Sequence, residues 1–183
     1  MTSIWLVRHG EAAAGFSEDT DPSLSLLGRE QALQSADMLS RCVPDHAALL
    51  SSPKRRAIET GEPHASSVQG ELEIDARFIE LPAPGDLAAR RQWLDEVLQG
   101  QWSALPEPVQ LWRREIVSAI DAFTSPTVIF THFLVINAVA AHISGEDAVV
   151  QCLPANASIH ELSVEGKGWQ WRARGAMLES VVN

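Results

Sequence analysis

The chain has 183 residues, 45% of them apolar, which matches one domain and supplies a substantial core. A formal net charge of −10 at pH 7 and a pI near 5.0 argue against nucleic acid or an anionic membrane as a partner. No apolar run is long enough to span a bilayer, and a strand starting within a few residues of Met1 leaves no room for a signal peptide, so the cytoplasm is the expected compartment.

In chain order, Ile4-Trp5-Leu6-Val7 reads as a buried strand that stops at Arg8-His9-Gly10. In open α/β sheets the carboxyl ends of the strands are where ligands sit. Arg8 brings a permanent cation with a planar fork of donors, and His9 an imidazole that can be neutral and nucleophilic near pH 7. The pair suggests an anion held by one residue and attacked by the next. Glu11 reads either as an orienting carboxylate or as a loop residue. A loop of small and acidic residues, Ala12 to Pro22, then leads into a helix running to about Arg41, with Ser23 or Ser25 as N-cap. Leu27, Leu33 or Gln31, Ala36 and Leu39 are its expected apolar stripe.

Ala47-Ala48-Leu49-Leu50 is a second apolar run, broken by Ser51-Ser52-Pro53 before a helix that opens with Lys54-Arg55-Arg56. Pro53 is expected in its first turn. A helix N-terminus with a basic first turn is an anion site, so two strand ends converge on one crevice. Lys54 itself reads better as part of a solvated face.

Leu72 to Asp75 reads as a short strand, followed by Arg77-Phe78-Ile79-Glu80 and a proline-rich turn, Leu81 to Gly85. Asp86 to Phe123 is helical in two pieces divided around Gly100 to Pro108, and its Trp93, Trp102 and Trp112 are expected to pack rather than bind. Thr127-Val128-Ile129-Phe130-Thr131 is the clearest buried strand, and it stops at His132. An apolar helix, Phe133 to Ile143, follows and is closed by Gly145. The last strands, about Ser158 to Val164 and Trp169 to Arg174, are joined by a Glu165-Gly166-Lys167-Gly168 turn. Cys42 and Cys152 have no metal-ligand spacing and read as reduced and structural. His46, His64, His142 and His160 match no motif and read as surface or core histidines.

The ordered set LVRHGEA, LSLLGREQA, SSPKRRAIET, FTHFLVINAVAAHISG and LPANASIHEL resembles the histidine phosphatase superfamily, of phosphoglycerate-mutase-like fold, from Ile4 to about Leu162. The expected architecture is α/β, a three-layer α/β/α sandwich with a mostly parallel central sheet, as one domain over residues 1–183. A helical cap is expected from Pro82 to about Ser125, the one long insertion between matched motifs.

Carried over residue by residue, the resemblance implies that His9 is the nucleophile and forms a phosphohistidine. Arg8 matches the arginine that grips the phosphoryl oxygens, and Arg56, immediately before the alanine of its motif, matches the second. His132 matches the second histidine, which supports the transferring group. Glu80, in DARFIE, falls where many members place the acid that protonates the leaving oxygen. The implied activity is hydrolysis of phosphomonoesters on a small phosphorylated substrate, with no metal and no cofactor. The rivals are a phosphoglycerate-type mutase, a phosphohistidine protein phosphatase and a phosphate-binding regulatory module without turnover. The chain departs from the family pattern at Ala12-Ala13-Ala14-Gly15, where a threonine and an asparagine are usual, and at Phe133, where glycine is usual. The segment after Glu80 also lacks the usual glycine and tryptophan.

Overall fold

Successive side chains of a strand point to opposite faces, and the central strands of this protein are apolar on both. In the computed structural model, which describes residues 1–15, 18–83, 86–166 and 168–179, Ile4 and Leu6 of β1 (Thr2–Arg8) enter one core cluster, Trp5 and Val7 the other. Pro84, Gly85 and Lys167, in the two expected turns, lie outside the described residues.

With β2 (Ala48–Ser51), β3 (Leu72–Ile74), β4 (Thr127–Thr131), β5 (Ile159–Glu165) and β6 (Gly168–Ala173), the described residues form a six-stranded sheet of order β3-β2-β4-β1-β5-β6. The first four strands run parallel; β5 is antiparallel to β1, and β6 to β5. The registers Arg8 opposite Thr131 and Ser51 opposite Phe130 bring the carboxyl ends of β1, β4 and β2 side by side.

One face carries α1 (Leu26–Cys42) and α2 (Arg55–Ser67), whose Leu39 and Ala65 pack on Trp5, Val7, Val128 and Phe130. The other face carries α4 (Glu107–Asp121) and α5 (Phe133–Ser144), with α3 (Leu87–Leu98) between the sheet and α4 in sequence. Ile116 and Ile120 of α4 meet Leu134 and Val135 of α5 in that core. Burial of each such side chain contributes about 1.5–3 kcal/mol, so α4 is anchored in this layer along its length. Trp102 and Trp112 are buried and stacked, with centroids 6.1 Å apart, and Trp93 packs beside them. Among the described residues, no helix is long and apolar enough to cross a membrane.

Two local expectations are corrected. The buried face of α1 is Gly28, Ala32, Ser35, Ala36 and Leu39, while Leu27 and Leu33 are exposed. Small residues on this face let α1 approach α2 and the loop after β1 closely, and close approach decided the face over hydrophobicity; Gly61 of α2 faces the sheet instead, where a Cβ would stand 2.7 Å from the Phe130 ring. Pro53 precedes the helix, because Lys54 is the N-cap of α2. Pro63, in contrast, lies inside α2, which continues through it to Ser67. Ser25 is the N-cap of α1, its Oγ accepting from the Gly28 N–H at 3.0 Å.

The loop after β1 touches α1 at two glycines. A Cβ on Gly10 would stand 2.6 Å from the Gly28 carbonyl oxygen, and a Cβ on Gly28 2.1 Å from that of Glu11. Both obstacles are backbone, so neither yields cheaply. Gly28→Ala is therefore expected to destabilise the fold by about 2–3 kcal/mol, lowering Tm by roughly 4–10 °C, as overpacking does. A thermal scan showing no loss would contradict this contact.

Candidate active site

Five of the residues singled out in the sequence meet at the carboxyl edge of the sheet. Arg8 ends β1 and His9 follows it; the Arg8 N–H donates to the Ser158 carbonyl (3.1 Å) and the His9 N–H to that of Thr131 (2.9 Å). His132 follows β4 as the N-cap of α5. Arg56 sits in the first turn of α2. Glu80 comes from the segment after β3, which is tied down from two sides: Thr131 Oγ1 donates to the Phe78 carbonyl (2.8 Å), and Trp112 Nε1 to that of Ile79 (3.1 Å).

The hydrogen bonds fix the protonation of both imidazoles. His9 Nδ1 lies 2.7 Å from the Gly10 carbonyl oxygen, which only accepts, so Nδ1 carries the proton. His9 Nε2 then holds the lone pair, and it accepts from Arg56 Nε at 3.2 Å. The other arm of the same guanidinium, Nη2, donates to His132 Nδ1 at 3.3 Å. The lone pair of His132 is therefore on Nδ1, and its Nε2–H donates to Ser52 Oγ at 2.7 Å. The two rings stand 5.2 Å apart and tilted by 59°. His9, Arg56 and His132 are all buried.

Burial and the neighbouring arginines hold both histidines well below the usual imidazole range, His9 through Arg56 and Arg8, His132 mainly through Arg56. Both stay neutral at pH 7, the state in which an imidazole nitrogen keeps its lone pair. Arg8 is lowered to about 10, chiefly by burial, with Glu80 opposing. Its Nη1 donates to the Pro154 carbonyl (2.6 Å), its guanidinium carbon stands 5.3 Å from the Phe133 ring centroid, and its buried Nε has no partner. This cation is positioned without a carboxylate bonded to it, which leaves donors for an anion.

Glu80 is half-buried. Burial raises its pKa, against the Leu81 N–H (3.0 Å), Arg56, a long contact from the Leu134 N–H (3.5 Å) and Arg8. The Leu134 N–H at the start of α5 thus faces the same crevice.

Two residues here were not read from the sequence. Thr60 Oγ1 accepts from the Gly10 N–H (3.0 Å) and donates to the Arg56 carbonyl (2.6 Å), tying the loop after His9 to α2. Ser52 meets His132 as described. Both hydroxyls lie inside SSPKRRAIET, where they look like ordinary polar residues beside a basic run. Glu11 proves to brace the loop: its carboxylate accepts from Ser25 Oγ (2.6 Å) rather than from His9. Lys54 Nζ donates to the Thr20 carbonyl (3.1 Å), and Asp21 accepts from the Arg55 N–H (3.0 Å), so the loop is strapped across the start of α2.

His46 is exposed and His64 buried, and the His142 ring lies 4.3 Å from that of Trp169. Cys42 and Cys152 are free thiols, and among the described residues no group of His, Cys, Asp or Glu is arranged to hold a metal ion.

A mostly parallel sheet with two histidines and two arginines at the carboxyl edge of its parallel strands defines a class, and comparison with known proteins agrees. The family model of the histidine phosphatase superfamily (branch 1) matches residues 4–176, and the chain belongs to that superfamily. A search of curated proteins finds no match. Among solved structures, a mycobacterial glucosyl-3-phosphoglycerate phosphatase in complex with VO3 is similar at a TM-score of 0.74 and 22% identity, covering 96% of this chain and 100% of that one. The phosphoserine phosphatase of Entamoeba histolytica, in complex with 3-phosphoglyceric acid, gives a TM-score of 0.78 at 17% identity, covering 97% and 98%. YhfR of Bacillus stearothermophilus gives 0.75 at 20%, also covering 97% and 98%. At these identities the structural likeness shows the fold alone.

His160 is also fully buried, and its pKa is lowered to about 4 by burial and by Arg174. A histidine depressed in the folded state binds its proton mainly when unfolded, so its contribution is complete above about pH 6.5 and is lost as pH falls towards the folded value. His9 and His132 act in the same direction. Urea unfolding should show stability falling from pH 7.5 to 5.5 by up to about 1.4 kcal/mol per pH unit for each such histidine. His160→Gln should flatten that slope, and an unchanged slope would contradict the burial of a neutral His160.

Proposed function

We propose that the protein is a phosphatase that hydrolyses small phosphomonoesters through a phosphohistidine at His9, without a metal ion. The observation that carries this reading is the His9 Nε2 lone pair, freed by the Nδ1–H bond to Gly10 and aimed at the point where Arg56 and His132 converge. A pocket meant only to bind an anion has no need of a lone pair there.

Phosphoryl transfer is mostly positioning and charge stabilisation, because negative charge spreads over the equatorial oxygens. Arg56 turns from the two imidazoles to those oxygens, and Arg8 offers its unpartnered donors. His9 Nε2 bonds to phosphorus as the ester P–O bond breaks, and the leaving oxygen takes the proton of Glu80. That proton is available because burial raises the Glu80 pKa. After the alcohol departs, Glu80 as carboxylate removes a proton from water while the water oxygen attacks phosphorus. The P–N bond breaks, Nε2 recovers its lone pair, and inorganic phosphate leaves. The loop from Ala12 to Pro22 and the part of the Pro82 to Ser125 stretch that precedes α4 select the rest of the substrate, α4 itself being packed in the core.

Release of phosphate from p-nitrophenyl phosphate and from a panel of sugar, glycerate, nucleotide and phosphohistidine-protein substrates, with chelator present, tests this. His9→Ala should lower turnover roughly a thousandfold or more. Turnover on one mutase pair alone, with little hydrolysis, would favour a mutase, and phosphate binding without turnover a regulatory module. Glu80→Gln should cost roughly a hundredfold on alkyl phosphates and only a few-fold on p-nitrophenyl phosphate, whose leaving group needs little protonation. Equal losses on both would remove Glu80 from the acid role.

A further inference from the structure

β2 and β4 are neighbours in the sheet, and each ends at the same edge, so the residue after β2 and the residue after β4 stand side by side. Those residues are Ser52 and His132, and both are fully buried. Ser52 is fixed on the sheet by its N–H, which donates to the Phe130 carbonyl at 2.9 Å, and by its own carbonyl, which accepts from Ser51 Oγ at 2.9 Å. Its Oγ accepts from the Lys54 N–H at 3.3 Å and from His132 Nε2–H at 2.7 Å.

His132 is therefore constrained at both ends of its ring. Arg56 Nη2 is a donor only, so it requires the lone pair on Nδ1, and the hydroxyl held by Lys54 receives the proton on Nε2. A ring free to turn about its Cβ bond, or to carry its proton on Nδ1, would lose the bond to Arg56 that ties it to His9. The helix start at His132 makes no side-chain capping bond of its own, so its two ring nitrogens are held by Arg56 and Ser52.

We infer that Ser52 is a positioning residue for the reaction: its hydroxyl holds the His132 ring by the Nε2 proton so that Nδ1 faces the phosphoryl group. The inference rests on the phosphatase reading for its kinetic consequence only. Burial and the charges of Arg56, His9, Lys54 and Arg8 act on His132, and Ser52 Oγ is the partner of its Nε2–H.

The test uses the full-length, 15N-labelled protein and its Ser52→Ala and Ser52→Cys variants. The imidazole N–H resonances at pH 8 are assigned with His132→Gln, His9→Gln and His160→Gln. In the wild type the His132 Nε2–H should be a slowly exchanging, hydrogen-bonded proton. It should vanish in Ser52→Ala and weaken in Ser52→Cys, whose thiol is a poor acceptor, while the His9 Nδ1–H and His160 Nε2–H persist. Turnover of an alkyl phosphate should fall roughly 10–100-fold in Ser52→Ala, the scale seen when a partner that orients a site histidine is removed, and less in Ser52→Cys. Should Ser52→Ala fail to fold, Ser52→Cys supplies both readings. A His132 Nε2–H still protected in either variant, or turnover within twofold of wild type in both, overturns the inference. Absence of turnover in every protein, wild type included, would defeat the phosphatase reading, and the resonance would still decide the role of Ser52.

Discussion

The site depends on one guanidinium. Arg56 donates through Nε to His9 and through Nη2 to His132, and because a guanidinium has no acceptor, both lone pairs must face it. One side chain thereby fixes the tautomers of two histidines and the point at which they converge. The same positive charge, with burial, keeps both rings neutral. In the proposed reaction the phosphoryl group enters at that point, and the donors that held the imidazoles become donors to its oxygens. Only that guanidinium then has to turn, and a site whose charges are already in place is the condition under which they are most effective.

The rest of the fold serves to hold Arg56 against His9. Parallel pairing of β1 with β4 and of β4 with β2 sets three strand ends in a row, delivering His9, His132 and Ser52 from distant parts of the chain. Arg56 arrives on a helix rather than a strand, so its distance from the sheet depends on how α2 packs. Thr60 links the Arg56 carbonyl to the Gly10 N–H, and the Gly10–Gly28 contact lets α1 close on the same loop. Small residues along α1 and α2 then matter as much as the apolar core, because a bulkier face would move Arg56 away from the imidazoles.

Much of this was legible in the sequence, because it follows from local pattern. An apolar run that stops at Arg8-His9, and another that stops at His132, each place a polar side chain at a sheet edge whatever the topology. The strands, the helix starting at Arg55 and the packing role of Trp102 and Trp112 follow in the same way. What escaped depends on partners distant in sequence. The inner face of α1 is chosen by its fit to α2, so Leu27 and Leu33 are exposed despite their hydrophobicity. Pro63 is carried inside a helix held by tertiary packing. Ser52 and Thr60 gain their importance only from what stands 2.6–3.0 Å away: Ser52 at 2.7 Å from His132, Thr60 at 2.6 Å from the Arg56 carbonyl and 3.0 Å from the Gly10 N–H.

The central claim is that the phosphoryl group passes through His9. Its most direct test is to mix the protein with a turned-over phosphate ester, quench in alkali within the time of a single turnover, and locate the phosphate by mass spectrometry of the proteolysed chain. The account predicts a phosphoryl group on His9 that survives alkali and is lost in acid, as a phosphoramidate is. Phosphate on another residue, or steady turnover with none on His9 at any quench time, would contradict it.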